Sequence, residues 1–206
     1  MNVARATPLP ADERRAGILA ATQPLVIQYG RDVSTRQIAE AAGIAEGTIF
    51  RVFPNKDAVI DAVIEDAFEM QPTIAALAQI DPGLDLDVRL EQAVAILQAR
   101  MRQVIAMFGA LRHSWTGPPS DAQKKSHERR GQEDNAKLAS ALATVIGPDA
   151  ERLRLPVEHA AELLRGLVFT TTHPMIGTTF SNEPRVIVDL LLHGILTPTT
   201  QEDRPC

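Results

Sequence analysis

At 206 residues, with 45% hydrophobic and 23% charged side chains, the chain can bury one long domain or a small domain attached to a larger one, which excludes a disordered polymer. A single cysteine, Cys206, excludes an intramolecular disulfide and fits a reducing compartment, and the net charge of −5 excludes a protein that is basic throughout. No run of about 18 uninterrupted apolar residues is present and the opening MNVARATPLPADERR lacks the apolar core of a signal peptide, so a cytoplasmic protein without a membrane span is expected.

Aromatic residues make up only 4%, while Ala, Leu, Ile and Val dominate without long alternating runs, a composition that predicts helices throughout. Charge is unevenly spread. Residues 1–56 carry seven basic against five acidic side chains, whereas the remainder carries fourteen against twenty-one. That asymmetry has the sign expected if only the N-terminal part approaches phosphate.

Residues 1–10, with Pro8 and Pro10, read as a loose arm. Ile18, Leu19, Thr22, Leu25, Val26 and Tyr29 then fall at helical spacing and predict a first helix stopped by Gly30, with a kink or split at Pro24. Ser34 followed three residues later by Gln37 has the form of a capping box, which starts a second helix carrying Ile38, Ala39 and Ala42. Gly43 can close that helix in the left-handed conformation. A third helix is expected from about Ala45 to Phe53, ended by Pro54. Two short helices joined by a tight glycine turn make a helix-turn-helix, and the outward side chains Glu46, Gly47, Thr48, Phe50 and Arg51 would form its reading face. Asn55 is a good N-cap for a fourth helix. Lys56 falls in that helix's first turn, where a cation opposes the helix dipole, which suggests phosphate as a partner or leaves an ordinary solvated lysine.

The fourth helix carries Val59, Ile60, Val63, Ile64, Ala67 and Phe68, a stripe broad enough to join the small domain to the rest of the chain. After a short apolar piece, Ile74 to Ile80, the sequence Asp81-Pro82-Gly83 marks a turn. The longest helical pattern runs from about Leu86 to Trp115, with Leu90, Val94, Leu97, Met101, Ile105, Phe108 and Trp115 on one stripe beside Arg112. A polar loop comes next, then helices from about His127 to Ile146, from Pro156 to Thr171 and from Glu183-Pro184 to Ile195. The last two have wide apolar surfaces and the small residues Ala160, Ala161, Gly166 and Gly194. Such a pair either completes its own core or meets its copy in a symmetric four-helix interface.

Residues Ile18 to Lys56 taken together resemble the N-terminal DNA-binding domain of the TetR family of bacterial transcriptional regulators. The resemblance is carried by Thr35-Arg36-Gln37-Ile38-Ala39-Glu40-Ala41-Ala42-Gly43-Ile44 and by Gly47-Thr48-Ile49-Phe50-Arg51-Val52-Phe53-Pro54-Asn55-Lys56. It implies an all-α fold: a three-helix helix-turn-helix domain over residues 1–54 and a helical ligand-binding and dimerisation domain over 55–206. It further implies that Thr35 and Arg36 approach the DNA backbone, that Gly47 and Thr48 enter the major groove, that Arg51 lies near phosphate or a base edge, and that Lys56 binds phosphate. Three positions depart from the family's usual pattern: Ala45 replaces a capping Ser or Thr, Glu46 a basic or neutral residue, and Phe50 a Tyr whose hydroxyl meets phosphate.

The expected function is a ligand-responsive regulator, expected to be a repressor, that binds a palindromic double-stranded operator as a homodimer through its last two helices. A small-molecule effector would release it. Met101, Ile105, Phe108, Arg112, Trp115 and Phe169 are the candidate effector residues, although the same Met and aromatic stripe also reads as ordinary core. Arg112 among rings could pair an anionic ligand or a carboxylate of its own chain. The five histidines form no HExxH and no tight Cys/His cluster, and no GxSxG, phosphate loop or dinucleotide fingerprint is present. Neither an enzyme nor a cofactor is therefore expected. The alternative is a helical adaptor or ligand-binding protein whose DNA binding is weak or lost.

Overall fold

The computed structural model describes residues 10–111, 121–176 and 180–195, with backbone alone over 121–128. Among the described residues every regular element is helical: α1 (Ala11–Tyr29), α2 (Thr35–Ala42), α3 (Glu46–Ile49), α4 (Lys56–Phe68), α5 (Gln71–Ala78), α6 (Leu86–Leu111), α7 (Asp121–Ile146), α8 (Val157–Thr172) and α9 (Pro184–His193). They form two compact units. The described part of the first is residues 10–69 and 103–111, and of the second 70–102, 121–176 and 180–195.

In the first unit α1 packs on α2 and α4. Ile38 from α2, Ile49 from α3, Val59 and Ile60 from α4 and Val26 from α1 are completely shielded from solvent, each contributing about 1.5–3 kcal/mol of burial. Helix α1 continues as one helix through Pro24, so of the kink or split that the sequence predicts there the split does not occur. Ile18 and Leu19 before the proline and Val26 after it sit in one core, which holds the two halves in a single helix. Thr22, fully buried, satisfies its hydroxyl on the Ile18 carbonyl at 2.7 Å. Met107, from the end of α6, is also fully buried in this core.

The second unit is built by α7 against α5 and α8, with α9 on α8. Leu77, Leu90, Val94, Leu142, Leu164 and Ile187 are central to its core. Arg89 is only 2% exposed; it donates to the Pro82 carbonyl at 2.7 Å and to Asp149, whose other oxygen takes Arg152 at 2.5 Å. Gln98, also buried, anchors the segment ahead of α9 through the Asn182 carbonyl at 2.5 Å.

Helix α6 is long and apolar enough to cross a membrane. Part of its apolar surface is used by cores, Leu90, Ala93, Val94 and Leu97 in the second unit and Met107 and Leu111 in the first, while Val88 and Phe108 stay exposed. The ion-paired Arg89 lies near its start.

Candidate nucleic-acid interface

The helix-turn-helix starts from two local devices. Ser34 and Gln37 form the capping box that the sequence predicts: the Ser34 N–H donates to Gln37 Oε1 at 2.8 Å and the Gln37 N–H to Ser34 Oγ at 3.2 Å. At the other end of α2, Gly43 takes φ 65° and ψ 32°. The Gly43 N–H reaches Glu40 and the Ile44 N–H reaches Ala39 at 3.0 Å, the pair of bonds that closes a Schellman turn. The turn redirects the chain into α3 and buries Ile38 and Ala39 on one side and Ile49 on the other.

Helix α3 has only four residues, Glu46–Ile49, where the sequence predicts a helix through Phe53. Ala45 supplies no side-chain cap. Beyond Ile49 the backbone tightens, with Arg51 and Val52 N–H groups bonded three residues back, as in a 3₁₀ turn. The uncapped start and Gly47 account for the weak helix. Helix α4 is better founded, since Asn55 Oδ1 accepts the Ala58 N–H at 2.8 Å.

The candidate DNA contacts lie along this motif with distinct surroundings. Arg36 is exposed and paired with Glu40 at 3.0 Å. Thr35 donates its hydroxyl to the Glu46 carboxylate, which joins the first residue of α2 to the first residue of α3. Gly47 is exposed, and a Cβ built on it would meet nothing within 4 Å. Thr48 is half-buried; Phe50 leaves 49% of its surface exposed. Arg51 is exposed and pairs with no carboxylate among the described residues. Lys56 donates to the Arg31 carbonyl at 2.9 Å, while Arg31 pairs with Asp61 at 2.5 Å. Arg15 of α1 lies over the Phe53 ring, 4.6 Å from its centroid. The Thr35–Glu46 and Lys56–Arg31 contacts join positions 11 and 25 residues apart, so no local spacing announces them.

Residues 18–63 match the family model of the bacterial regulatory proteins of the tetR family. The matched segment runs from the core of α1 through the motif into α4. The fold extends the likeness over most of the chain. A Mesorhizobium loti protein assigned to the TetR family of transcriptional regulators superposes with a TM-score of 0.59 at 15% identity, covering 90% of this chain and 98% of its own. A TetR transcriptional regulator of Streptomyces coelicolor gives 0.55 at 22% identity over 90% and 99%. The Bacillus subtilis regulator FadR, solved in complex with stearoyl-CoA, gives 0.54 at 17% identity over 88% and 99%. The chain thus has a TetR-like all-helical fold with an N-terminal helix-turn-helix.

The candidate effector residues are dispersed. Met101 is half-buried in the part of α6 that belongs to the second unit. In the first unit Ile105 is half-buried and Phe108, 48% exposed, sets its ring 5.1 Å from that of Phe68. Phe169 is exposed on α8, its ring 5.4 Å from His173. Arg112 and Trp115 lie outside the described residues.

Pockets open among the described residues of the second unit, and three of them are well lined. One of 510 Å³ lies among α5, α6 and α7, with Ile74, Leu77, Ile80 and Val145 as its apolar wall and Arg89 and Lys137 as its charged residues. A second, of 440 Å³, is bordered by Asp85, Asp87, Arg152, Arg154 and His193 around leucines. The third, also 440 Å³, is an apolar groove along α8 and α9 lined by Leu163, Leu167, Ile176, Phe180 and Leu190. None of Met101, Ile105, Phe108 and Phe169 lines any of the three. Among the described residues no three of His, Cys, Asp and Glu come together as metal ligands.

Proposed function

We propose that the protein is a cytoplasmic, ligand-responsive transcriptional repressor that binds a palindromic operator as a homodimer. The observation that carries this reading is the capped and closed helix-turn-helix, whose Thr35, Arg36, Gly47, Phe50, Arg51 and Lys56 lie within the segment matching the family model. Two copies would set their α3 segments in successive major grooves about 34 Å apart.

The outer face of α8 and α9 supports dimerisation. Leu163 of α8, and Ile176 and Phe180 from the connection to α9, line the groove there and are each more than 40% exposed, beside Gly166, which lets a second helix approach. Two such faces meeting about a two-fold axis would remove them from water. Leu163→Glu is expected to give a monomer in sedimentation velocity and to weaken operator binding with it.

The effector reading attaches to the 510 Å³ pocket of the second unit, a size suited to a small organic ligand. Arg89 is already neutralised by Asp149, so the lining cation open to an amphipathic anion is Lys137, whose exposed contact with Asp134 at 3.9 Å an anion can replace. Helix α6 gives the ligand a route of action, since it lines that pocket through Arg89 and fills the first unit's core through Met107. An effector that prefers one setting of α6 shifts the population toward it, and with it the separation of the two α3 segments.

The test is an electrophoretic shift on the DNA flanking the protein's own gene at low salt. Retardation of a palindromic fragment, reversed by an amphipathic anion, is expected. A second reading, a helical ligand-binding protein with weak or lost DNA binding, is favoured by the Glu46 carboxylate and by the internal partners of Arg36 and Lys56. Absence of any retardation at low salt would select it.

A further inference from the structure

Glu46 is an anomaly on a surface meant for DNA. A carboxylate facing phosphates is repelled, and an ionised one has no proton to donate. The positions on a duplex where it gains are base-edge amino groups, and in the major groove the cytosine N4 amine is the one a carboxylate accepts from. Adenine also offers an amine there, but beside the N7 acceptor, which repels the second carboxylate oxygen.

Glu46 stands where such a readout is made. It is the first residue of α3, and the opening residues of a helix-turn-helix's second helix are those that meet base edges. Its side chain already has a partner within the motif. The Thr35 hydroxyl donates to Oε1, leaving the lone pairs of Oε2 for an outside donor. Thr35 in turn is the first residue of α2, the helix that the Ser34–Gln37 capping box starts, so the carboxylate is tied to a capped helix, and less rotamer freedom is lost on binding. Gly47 next to it adds no side chain, and the space around its Cα is open, so a groove wall can come close.

We propose that Glu46 is the specificity-determining residue of this chain, reading a cytosine in each operator half-site, with Thr35 as its positioning residue. The inference rests on the DNA-binding reading above.

The test is selection from a randomised duplex library with the full-length protein, its Glu46→Ala and Glu46→Gln variants, and Thr35→Val, each confirmed folded by its thermal melt. For the unaltered protein, a cytosine is expected at one symmetric position of each half-site, with any other base there weakening binding on the order of tenfold. Glu46→Ala should erase the preference at that position alone. Glu46→Gln should transfer it to adenine, whose N6 and N7 suit a carboxamide. Thr35→Val should weaken the cytosine preference without changing the preferred base. If the unaltered protein and Glu46→Ala select the same half-site, the inference fails while the DNA-binding reading stands. If the unaltered protein enriches no sequence at low salt, both fall.

Discussion

Gly47 separates what the fold needs from what a partner needs. Its φ is negative, so no left-handed backbone forbids a side chain, and a methyl there would touch nothing within 4 Å. Gly47→Ala should therefore cost the fold nothing sterically. Alanine's lower backbone entropy loss and higher helix propensity should instead stabilise by up to about 0.5–1 kcal/mol, at the lower end because α3 is so short. For a chain of this length that is a rise of about 1–4 °C in Tm. If the α3 backbone lies against a groove wall, the same methyl occupies space the DNA requires, and affinity should fall tenfold or more. Differential scanning fluorimetry and a fluorescence-anisotropy titration on one operator give both numbers from one preparation. A variant that melts at or above the wild-type temperature and binds equally well would refute the close approach.

The surroundings of the motif are open to the same kind of test. Lys56→Ala should lower the slope of log K against log salt by about one per subunit, read from titrations at several salt concentrations, because one phosphate contact is lost; an unchanged slope would mean that Lys56 serves only the Arg31 carbonyl. Ser34→Ala removes the side-chain acceptor of the capping box and should destabilise by about 1 kcal/mol in urea unfolding. Asp149 is held below the usual carboxylate range, first by its hydrogen bond from Arg152 and then by Arg89, against the opposing effect of burial. Its folded pKa is depressed, so the stability it contributes is present above the ordinary value of 3.8 and is lost as pH falls through the lower, folded value. Asp149→Asn should accordingly flatten the acid limb of the stability profile measured by circular dichroism.

Much of the motif was legible because its determinants are local. A serine three residues before a glutamine and a glycine after the last helical alanine specify where α2 starts and stops whatever surrounds them. The asparagine ahead of α4 is of the same kind. Where the outcome depended on packing, the sequence misled or was silent. Pro24 carries a breaking signal, but burial on both sides of it overrides that signal. The end of α3 depends on a missing cap, which the sequence shows at Ala45 yet does not weigh against the apolar run after it. The apolar stripe of α6 reads as one face, whereas Leu90 to Leu97 belong to one core and Met107 and Leu111 to another, a division that periodicity cannot express. The burial of Arg89 carries no local sequence signal, because its carbonyl and carboxylate partners lie 7 and 60 residues away.

The electrostatics of the motif bear on why a dimer would be needed. Of the three candidate phosphate-binding cations, Arg36 has Glu40 and Lys56 has a backbone carbonyl, leaving Arg51 with no carboxylate among the described residues. The Arg36 pair is highly exposed, and such pairs hold by only about 0–1 kcal/mol, so phosphate can replace Glu40 at small cost. Three contacts then give one subunit a salt slope of about −3, and two subunits joined through α8 and α9 about −5. A slope near −5 that drops toward −3 in Leu163→Glu would tie the apolar face of the second unit to the reading edge of the first. A slope near −3 in both proteins would show that one subunit alone meets the DNA, and the exposed Leu163 of α8 would then need another explanation.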